Sequence, residues 1–125
     1  MRLKKWNSRV FAFSLALAAL QSFGAVYYVA PDGNDASAGT KDKPFATLNK
    51  ANTVVHAGDT VWVRGGIYDL RDTVFFARYK MTAAIVLTAS GESDDNRIHY
   101  LAYPGERPIF DGANLPVAAG TDHSD

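Results

Sequence analysis

Short apolar runs separated by turns fill most of this chain and restrict the folds open to it. The runs are residues 26–30, 59–63, 73–77, 83–88, 98–103 and 109–112. Glycine, proline, asparagine and aspartate separate them, and these are the residues that tight turns require. The pattern predicts an all-β protein, and on the pattern alone a sandwich, a barrel and a β-solenoid all remain open.

One amphipathic helix is predicted near the start, between residues 44 and 57. Its apolar face consists of Phe45, Leu48, Ala51 or Asn52, and Val55. Asp42 or Thr40 is expected to cap it, Pro44 suits its first turn, and Ala57-Gly58 is expected to end it. A single helix ahead of a series of strands favours a solenoid, because a stack of coils needs a cap over its first open coil.

Five motifs occur in a fixed order along the chain: YYVAPDGND (27–35), KPFATL (43–48), AGDTV (57–61), RGGIY (64–68) and YPGERP (103–108). In this order and spacing they resemble the cap and first coils of the family-nine polysaccharide lyases, which are pectate-lyase-like proteins. The resemblance implies a right-handed parallel β-helix with an N-terminal cap helix, and residues 25–125 would form that cap and the first coils.

The resemblance also implies a function. The family cleaves uronate-containing polysaccharides by β-elimination: a calcium ion held by aspartates neutralises the substrate carboxylate, and a lysine takes the adjacent proton. It therefore implies a pectate-like acidic polysaccharide as partner, Ca²⁺ as cofactor, pectin degradation as the role, and a monomer at full length. The aspartates and the lysine would lie beyond Asp125, so the chain is expected to be the front of a longer protein.

No residue of this chain is consequently assigned as catalytic, cofactor-binding or metal-binding. Two alternatives stay open. One is a non-catalytic surface β-helix for glycan binding or adhesion. The other is a β-helix glycoside hydrolase or epimerase, for which paired carboxylates would be the sign.

Residues 1–24 are predicted to be a signal peptide. Arg2, Lys4, Lys5 and Arg9 form a basic segment, and an apolar run follows at 10–20. Small residues then precede a cleavage site between Gly24 and Ala25 or one residue to either side. The apolar run is shorter than the roughly 20 residues that span a bilayer, so no stable membrane anchor is expected. The protein is predicted to be secreted, periplasmic or bound at the cell surface.

Without that leader the chain has nine basic and thirteen acidic residues, a net charge of −4. This acidity argues against a nucleic-acid partner. There is no cysteine, so an exported form must be stabilised by packing and backbone hydrogen bonds.

Several groups of polar residues are candidates for a calcium site. Asp32, Asn34 and Asp35 could ligate calcium, but hydrogen bonds within a turn explain them better. A solvated loop similarly explains 92–95, with Glu92, Asp94 and Asp95.

The remaining candidates are aromatic or basic. His56, His99 and His123 are scattered, and the helix dipole accounts for the first. Lys80 and Arg78, beside Tyr79, could contact an anionic sugar, although a solvated surface is the better explanation. Trp62 and the tyrosines are expected in the core or in stacks between coils.

Overall fold

The computed structural model describes residues 24–71, 74–76 and 81–115. Most of the predicted leader, the basic cluster at 78–80 and His123 lie outside them. The elements are β1 (Val26–Val29), α1 (Leu48–Asn52), β2 (Thr60–Val63), β3 (Gly66–Asp69), β4 (Val74–Phe76), β5 (Met81–Ala83), β6 (His99–Ala102) and β7 (Pro108–Asp111). The described part is therefore built mainly of short strands, as predicted.

The first sheet has the order β1-β2-β6, and both of its strand pairs are parallel. Val29 is in register with Val63, and Val63 with Ala102. A second parallel pair joins β3 to β7, each of which follows a strand of the first sheet. The chain thus turns the same corner twice and returns in register. Parallel pairing of strands far apart in the sequence is the kind of pairing that a β-helix contains.

A glycine forms the corner between β2 and β3. Gly66 has φ +125°, and a Cβ there would lie 2.8 Å from Cγ of Pro31. A larger residue would meet both an unfavourable backbone region and a close neighbour. The corner between β2 and β3 therefore requires glycine at this position.

The strands β4 and β5 depart from this parallel arrangement, because they pair antiparallel with each other. Within the predicted run at 83–88, only Ala83 belongs to a strand. Side chains of α1 hold it instead. Asn49 donates to the carbonyl of Ala84 at 2.8 Å and accepts from the amide of Val86 at 2.8 Å. The Asn52 carboxamide oxygen accepts from the amides of residues 88 and 89, at 3.0 Å each.

The core lies between the two sheets and α1. It consists of Val29, Phe45, Ala51, Val55, Val61, Val63 and Tyr68. Alternation along β2 explains which side chains enter it: Val61 and Val63 point inward and are buried, whereas Thr60 and Trp62 lie on the opposite face. We call that opposite face, shared by β1, β2 and β6, the outer face of the first sheet.

The helix is shorter than predicted and has a different cap. It spans Leu48–Asn52, and its N-cap is Thr47, whose hydroxyl accepts from the Lys50 amide at 3.0 Å. The predicted caps Asp42 and Thr40 are wrong, as is the inclusion of Phe45. Phe45 forms a parallel bridge with Val29, so its backbone is extended and cannot begin a helix.

The predicted helix end is also wrong. The helix stops at a Thr53 C-cap, well before Gly58, which has φ +88° in the turn that leads into β2.

The loop before α1 covers the leading edge of β1. The amide of Tyr28 donates to the carbonyl of Gly39 at 2.8 Å, and the Phe45 amide donates to the carbonyl of Tyr28 at 2.9 Å. The Ala30 amide completes the pairing at the Phe45 carbonyl, also at 2.9 Å. This loop therefore pairs with the edge of β1, while α1 contributes Ala51 to the core. In the described residues, no helix has the length and apolar character needed to cross a bilayer.

Candidate functional site

Aromatic and cationic side chains gather on the outer face of the first sheet. Tyr28 and Trp62 are in register on neighbouring strands, and Tyr103 follows directly after β6. Lys41, from the loop over β1, and Arg64, which follows β2, reach the same place. We call these five residues the aromatic–cation face.

The three rings contact one another. The ring centroids of Trp62 and Tyr103 are 5.9 Å apart and nearly perpendicular, and those of Tyr28 and Tyr103 are 6.2 Å apart. The edge-to-face arrangement of Trp62 and Tyr103 is favoured because the positive edge of one ring meets the negative face of the other. All three residues are half-buried, so part of each ring remains in contact with solvent.

Two cations lie over the ring of Tyr103. The Nζ atom of Lys41 is 5.5 Å from the ring centroid, and the guanidinium carbon of Arg64 is 4.8 Å from it. Both distances are within the range of cation–π attraction. Interaction with the Tyr103 hydroxyl raises the pKa of Lys41. Lys41 is therefore a permanently charged, exposed cation at neutral pH.

Arg64 is held in place by Glu106. Its Nε lies 2.8 Å from Oε2 and its second nitrogen 2.8 Å from Oε1, and the Gly65 amide donates to Oε2 at 2.7 Å. The Arg64 guanidinium, followed by the Gly65 amide, lowers the pKa of Glu106. This carboxylate fixes the guanidinium over Tyr103 and compensates its charge. Within the described residues, Lys41 forms no ion pair with a carboxylate, so it carries the uncompensated charge of this face.

These groups suit an acidic sugar. The negative face of an aromatic ring attracts the weakly positive C–H groups of a sugar ring, and an ammonium group pairs with a carboxylate. The face contains no pair of free carboxylates and no nucleophile beside a base, so it supplies binding groups rather than acid–base chemistry.

A cleft of about 290 Å³ lies on the other side of the molecule, between α1 and β3. Its apolar wall includes Tyr68, and Phe110 stacks on that ring with centroids 5.0 Å apart. The Tyr68 hydroxyl is within hydrogen-bond distance of two carbonyls, 3.0 Å from that of Val29 and 2.8 Å from that of Arg64. Burial raises the pKa of Tyr68 to about 12. These features identify Tyr68 as a structural residue.

Asn34 makes the hydrogen bond within the turn that the sequence favoured, whereas Asp35 binds residues 46 and 47, which lie outside that turn. The carboxylate of Asp35 accepts from the amides of Ala46 at 2.8 Å and Thr47 at 3.0 Å, and from the Thr47 hydroxyl at 2.7 Å. Asn34 accepts from the Ala36 amide at 2.8 Å, as in an Asx turn. Asp32 is exposed.

The loop at 92–95 is exposed, as predicted, and Asp94 pairs there with Arg97. No group of three or more histidine, cysteine, aspartate or glutamate side chains in the described residues could hold a metal ion.

Three other expectations need correction or qualification. His56 does not lie at the end of α1, so the helix dipole does not account for it; its side chain is exposed, as is His99. Of the two places predicted for Trp62, the core is wrong and a contact with an aromatic ring of a neighbouring strand is confirmed: Trp62 lies on the outer face, and its ring centroid is 5.9 Å from that of Tyr103, just after β6. Tyr68 is in the core, as predicted for the tyrosines, and Tyr100 packs against it.

The sequence alone did not reveal Lys41 or the Arg64–Glu106 pair as parts of one surface. Glu106 lies 42 residues from Arg64 in the chain, and the two meet only because β2 pairs with β6 and β3 with β7. A usable signal was present for Trp62, because Val61 and Val63 flank it and alternation places it opposite to them.

The family described as "Pel9A-like, right handed beta helix region" matches residues 27–124. The chain is similar to pectate lyase PEL9 of Emericella nidulans, with 37% identity over 89 residues, which is 71% of this chain and 19% of that protein.

Two solved structures are also similar. A rhamnogalacturonan lyase shares 37% identity with a TM-score of 0.67, over 74% of this chain and 23% of that one. The crystal structure of pectate lyase Pel9A shares 26% identity with a TM-score of 0.55, over 74% and 22%. The chain thus spans about a fifth of the length of these proteins.

Proposed function

The chain belongs to the Pel9A-like family of right-handed β-helix proteins, and on this basis we propose that the protein carrying it is an exported lyase of acidic polysaccharides. The family match over residues 27–124 carries the proposal. Membership confirms the resemblance seen in the five sequence motifs. The proposed reaction is β-elimination on a uronate-containing polymer of the pectate kind.

In this proposal the chain forms the cap and first coils of a parallel β-solenoid, and the chemistry takes place on other coils. Calcium would neutralise the uronate carboxylate and acidify the adjacent C–H group, from which a lysine takes the proton. The described residues contain no metal-ligand cluster, and the matched part of the chain covers only about a fifth of each similar protein, so this proposal places the calcium ligands in the remainder. The role of the present segment is to start the fold and to contact the polymer.

We assign the polymer contact to the aromatic–cation face. Lys41 supplies a charge for a uronate carboxylate, and the exposed parts of Tyr28 and Trp62 supply ring surface for a sugar. The face follows the outer side of a sheet whose strands stack in one direction. A linear polymer lying along that direction would contact several coils at once.

A lyase assay on the full-length, leader-free protein tests the reaction. Elimination creates an unsaturated uronate, so absorbance in its band is expected to rise with pectate when Ca²⁺ is present. A chelator is expected to stop the rise and added Ca²⁺ to restore it. No rise with pectate, alginate or chondroitin would remove the lyase proposal.

Variants in the same protein test the polymer contact. Trp62→Ala and Lys41→Gln are each expected to raise KM about three- to tenfold, because ring contacts and exposed ion pairs contribute on the order of 0.5–1.5 kcal/mol. The value of kcat is expected to stay unchanged, since neither group takes part in the chemistry. Lys43→Gln, at an exposed lysine outside the face, is the matched control. An unchanged KM in both variants would exclude this face from polymer binding.

A non-catalytic glycan-binding β-helix is the second candidate. The aromatic–cation face favours it, because the face offers binding groups without an acid–base pair. Binding of pectate without any bond cleavage would establish this function. Cleavage without an unsaturated product would instead indicate a hydrolase.

A further inference from the structure

Asp59 is the buried charged residue of the described part of the chain, with 5% of its surface exposed. Its Oδ2 accepts from the amide of His56 at 2.7 Å, and its Oδ1 accepts from the backbone nitrogen of Ala25 at 2.6 Å. Its backbone carbonyl accepts from the amide of His99 at 2.9 Å. Asp59 therefore joins the start of β1, the turn before β2 and the start of β6.

Among the residues that the structure describes, this carboxylate has hydrogen-bond donors but no permanently charged cation beside it. Burying an ionised carboxylate is costly unless it is paired. The basic side chain near it is His56, whose Nδ1 lies 4.0 Å from Oδ2 and whose side chain is 86% exposed. The His56 imidazole carries a positive charge only when it is protonated. The Ala25 nitrogen is much closer, but in the uncleaved chain it is a neutral amide.

We infer that Gly24–Ala25 is the processing site of the leader and that the new α-ammonium group of Ala25 pairs with Asp59. A leader peptidase would add the hydroxyl of water to the Gly24 carbonyl carbon, and the hydrogen would go to the Ala25 nitrogen as the C–N bond breaks. The new carboxyl group then loses its proton and the amine gains one, because an α-amine is mostly protonated at neutral pH. The inference rests on the proposed export and not on lyase activity.

Both neighbours of the cleaved bond fit this assignment. The Ala25 carbonyl accepts from the Thr60 amide at 2.9 Å, so pairing with β2 fixes Ala25 independently of the leader. Gly24 is crowded: a Cβ on it would lie 1.8 Å from the carbonyl oxygen of Gly58. Cleavage removes Gly24 and leaves an ammonium group at the Ala25 nitrogen, which donates to Asp59 in the structure.

Three forms of the full-length protein test the pairing. The first begins at Ala25 with a free amine, the second has the same amine acetylated, and the third begins at Ser22. In the last two the Ala25 nitrogen is a neutral amide that still donates. Amide hydrogen exchange at Thr60 reports local opening beside Ala25. The Tyr103 amide, which donates to the Val63 carbonyl at the other end of β2, is the internal reference.

Exchange at Thr60 is expected to be about tenfold faster in both neutral forms than in the free-amine form, because a charge-assisted hydrogen bond is roughly twice as strong as a neutral one. Exchange at Tyr103 is expected to be equal in all three. In Asp59→Asn, acetylation is expected to change nothing, and if that variant does not fold, the Ser22 form decides. Equal exchange at Thr60 in the three forms would overturn the inference.

The natural cleavage site is tested separately, by sequencing the N-terminus of the exported protein. Ala25 is expected as its first residue, and any other first residue would overturn the inference. An inactive protein that still shows the tenfold difference at Thr60 would contradict only the lyase proposal.

Discussion

Replacing Tyr68 by phenylalanine tests how much its hydroxyl contributes to the stability of the core. The ring of Tyr68 is buried against Phe110, and its hydroxyl lies near the carbonyls of Val29 and Arg64. The substitution keeps the ring and removes only the hydroxyl. The Val29 carbonyl also accepts from the Arg64 amide at 2.8 Å, so it keeps a donor in the variant. The Arg64 carbonyl loses the donor that the Tyr68 hydroxyl provides.

The expected cost follows from that difference. One lost hydrogen bond costs about 1 kcal/mol, and the part-buried Arg64 carbonyl left without this donor adds to the loss. Together these predict a decrease of about 1–2 kcal/mol in the free energy of unfolding at pH 7. Urea denaturation of the leader-free protein, followed by circular dichroism, measures it. Tyr28→Phe, on the outer face, is the control and is expected to change stability by less than about 0.5 kcal/mol.

The pH dependence gives the same substitution a second, independent result. Burial raises the pKa of Tyr68 from 10.0 in the unfolded chain to about 12 in the folded one. A raised folded pKa contributes stability that is complete below pH 10 and is lost as the pH rises to about 12. The stability difference between the native protein and Tyr68→Phe is therefore expected to narrow across this window. A cost below 0.5 kcal/mol at pH 7, or a constant difference up to pH 12, would refute the reasoning.

Three further outcomes follow from the fold. Glu106→Gln is expected to make the free energy of unfolding depend less on pH in acid. Arg64 lowers the pKa of Glu106, so the stability that this carboxylate contributes is present above the ordinary value of 4.5 and is lost as the pH falls below it. Urea denaturation that shows the same loss of stability in acid for both proteins would contradict this. Asn52→Ala removes both amide contacts to residues 88 and 89 and is expected to accelerate hydrogen exchange there without affecting β2; equal acceleration in β2 would indicate global destabilisation instead. Val61→Ala is expected to cost about 2–3 kcal/mol, from two lost methyl groups and a cavity, while Ile67→Ala, at a residue 62% exposed, costs less than about 1 kcal/mol; similar losses in urea denaturation would mean that Val61 is not in the core.

The short strands could be predicted because their signals are local. Alternation in β2 is readable from Val61 to Val63, and the glycine corner at Gly66 is visible as a doublet with Gly65. The order of such motifs, not their individual strength, also indicated the family. These features depend on residues that are close together in the chain, so they can be recognised without knowing which strands pair.

The features that the sequence did not reveal depend on contacts between distant segments. Phe45 has helical spacing to Leu48, but the open edge of β1 binds its backbone first, and the helix is shortened as a result. Asn52 has the spacing of an apolar-face residue, yet its side chain binds residues 88 and 89. The aromatic–cation face likewise exists only once β1, β2 and β6 are in register.

The loop that pairs with the first strand also gives the molecule a direction. Residues 39–45 occupy the hydrogen-bonding groups of that strand on the side away from β2, so no further strand can join there. On the opposite side, Phe110 is an inward-facing ring with 40% of its surface still exposed. Among the described residues, the first sheet can therefore gain a strand beside β6 but not beside β1. The loop that closes this edge is synthesised before β2 and β6, so the sheet can add its strands in the order in which they leave the ribosome.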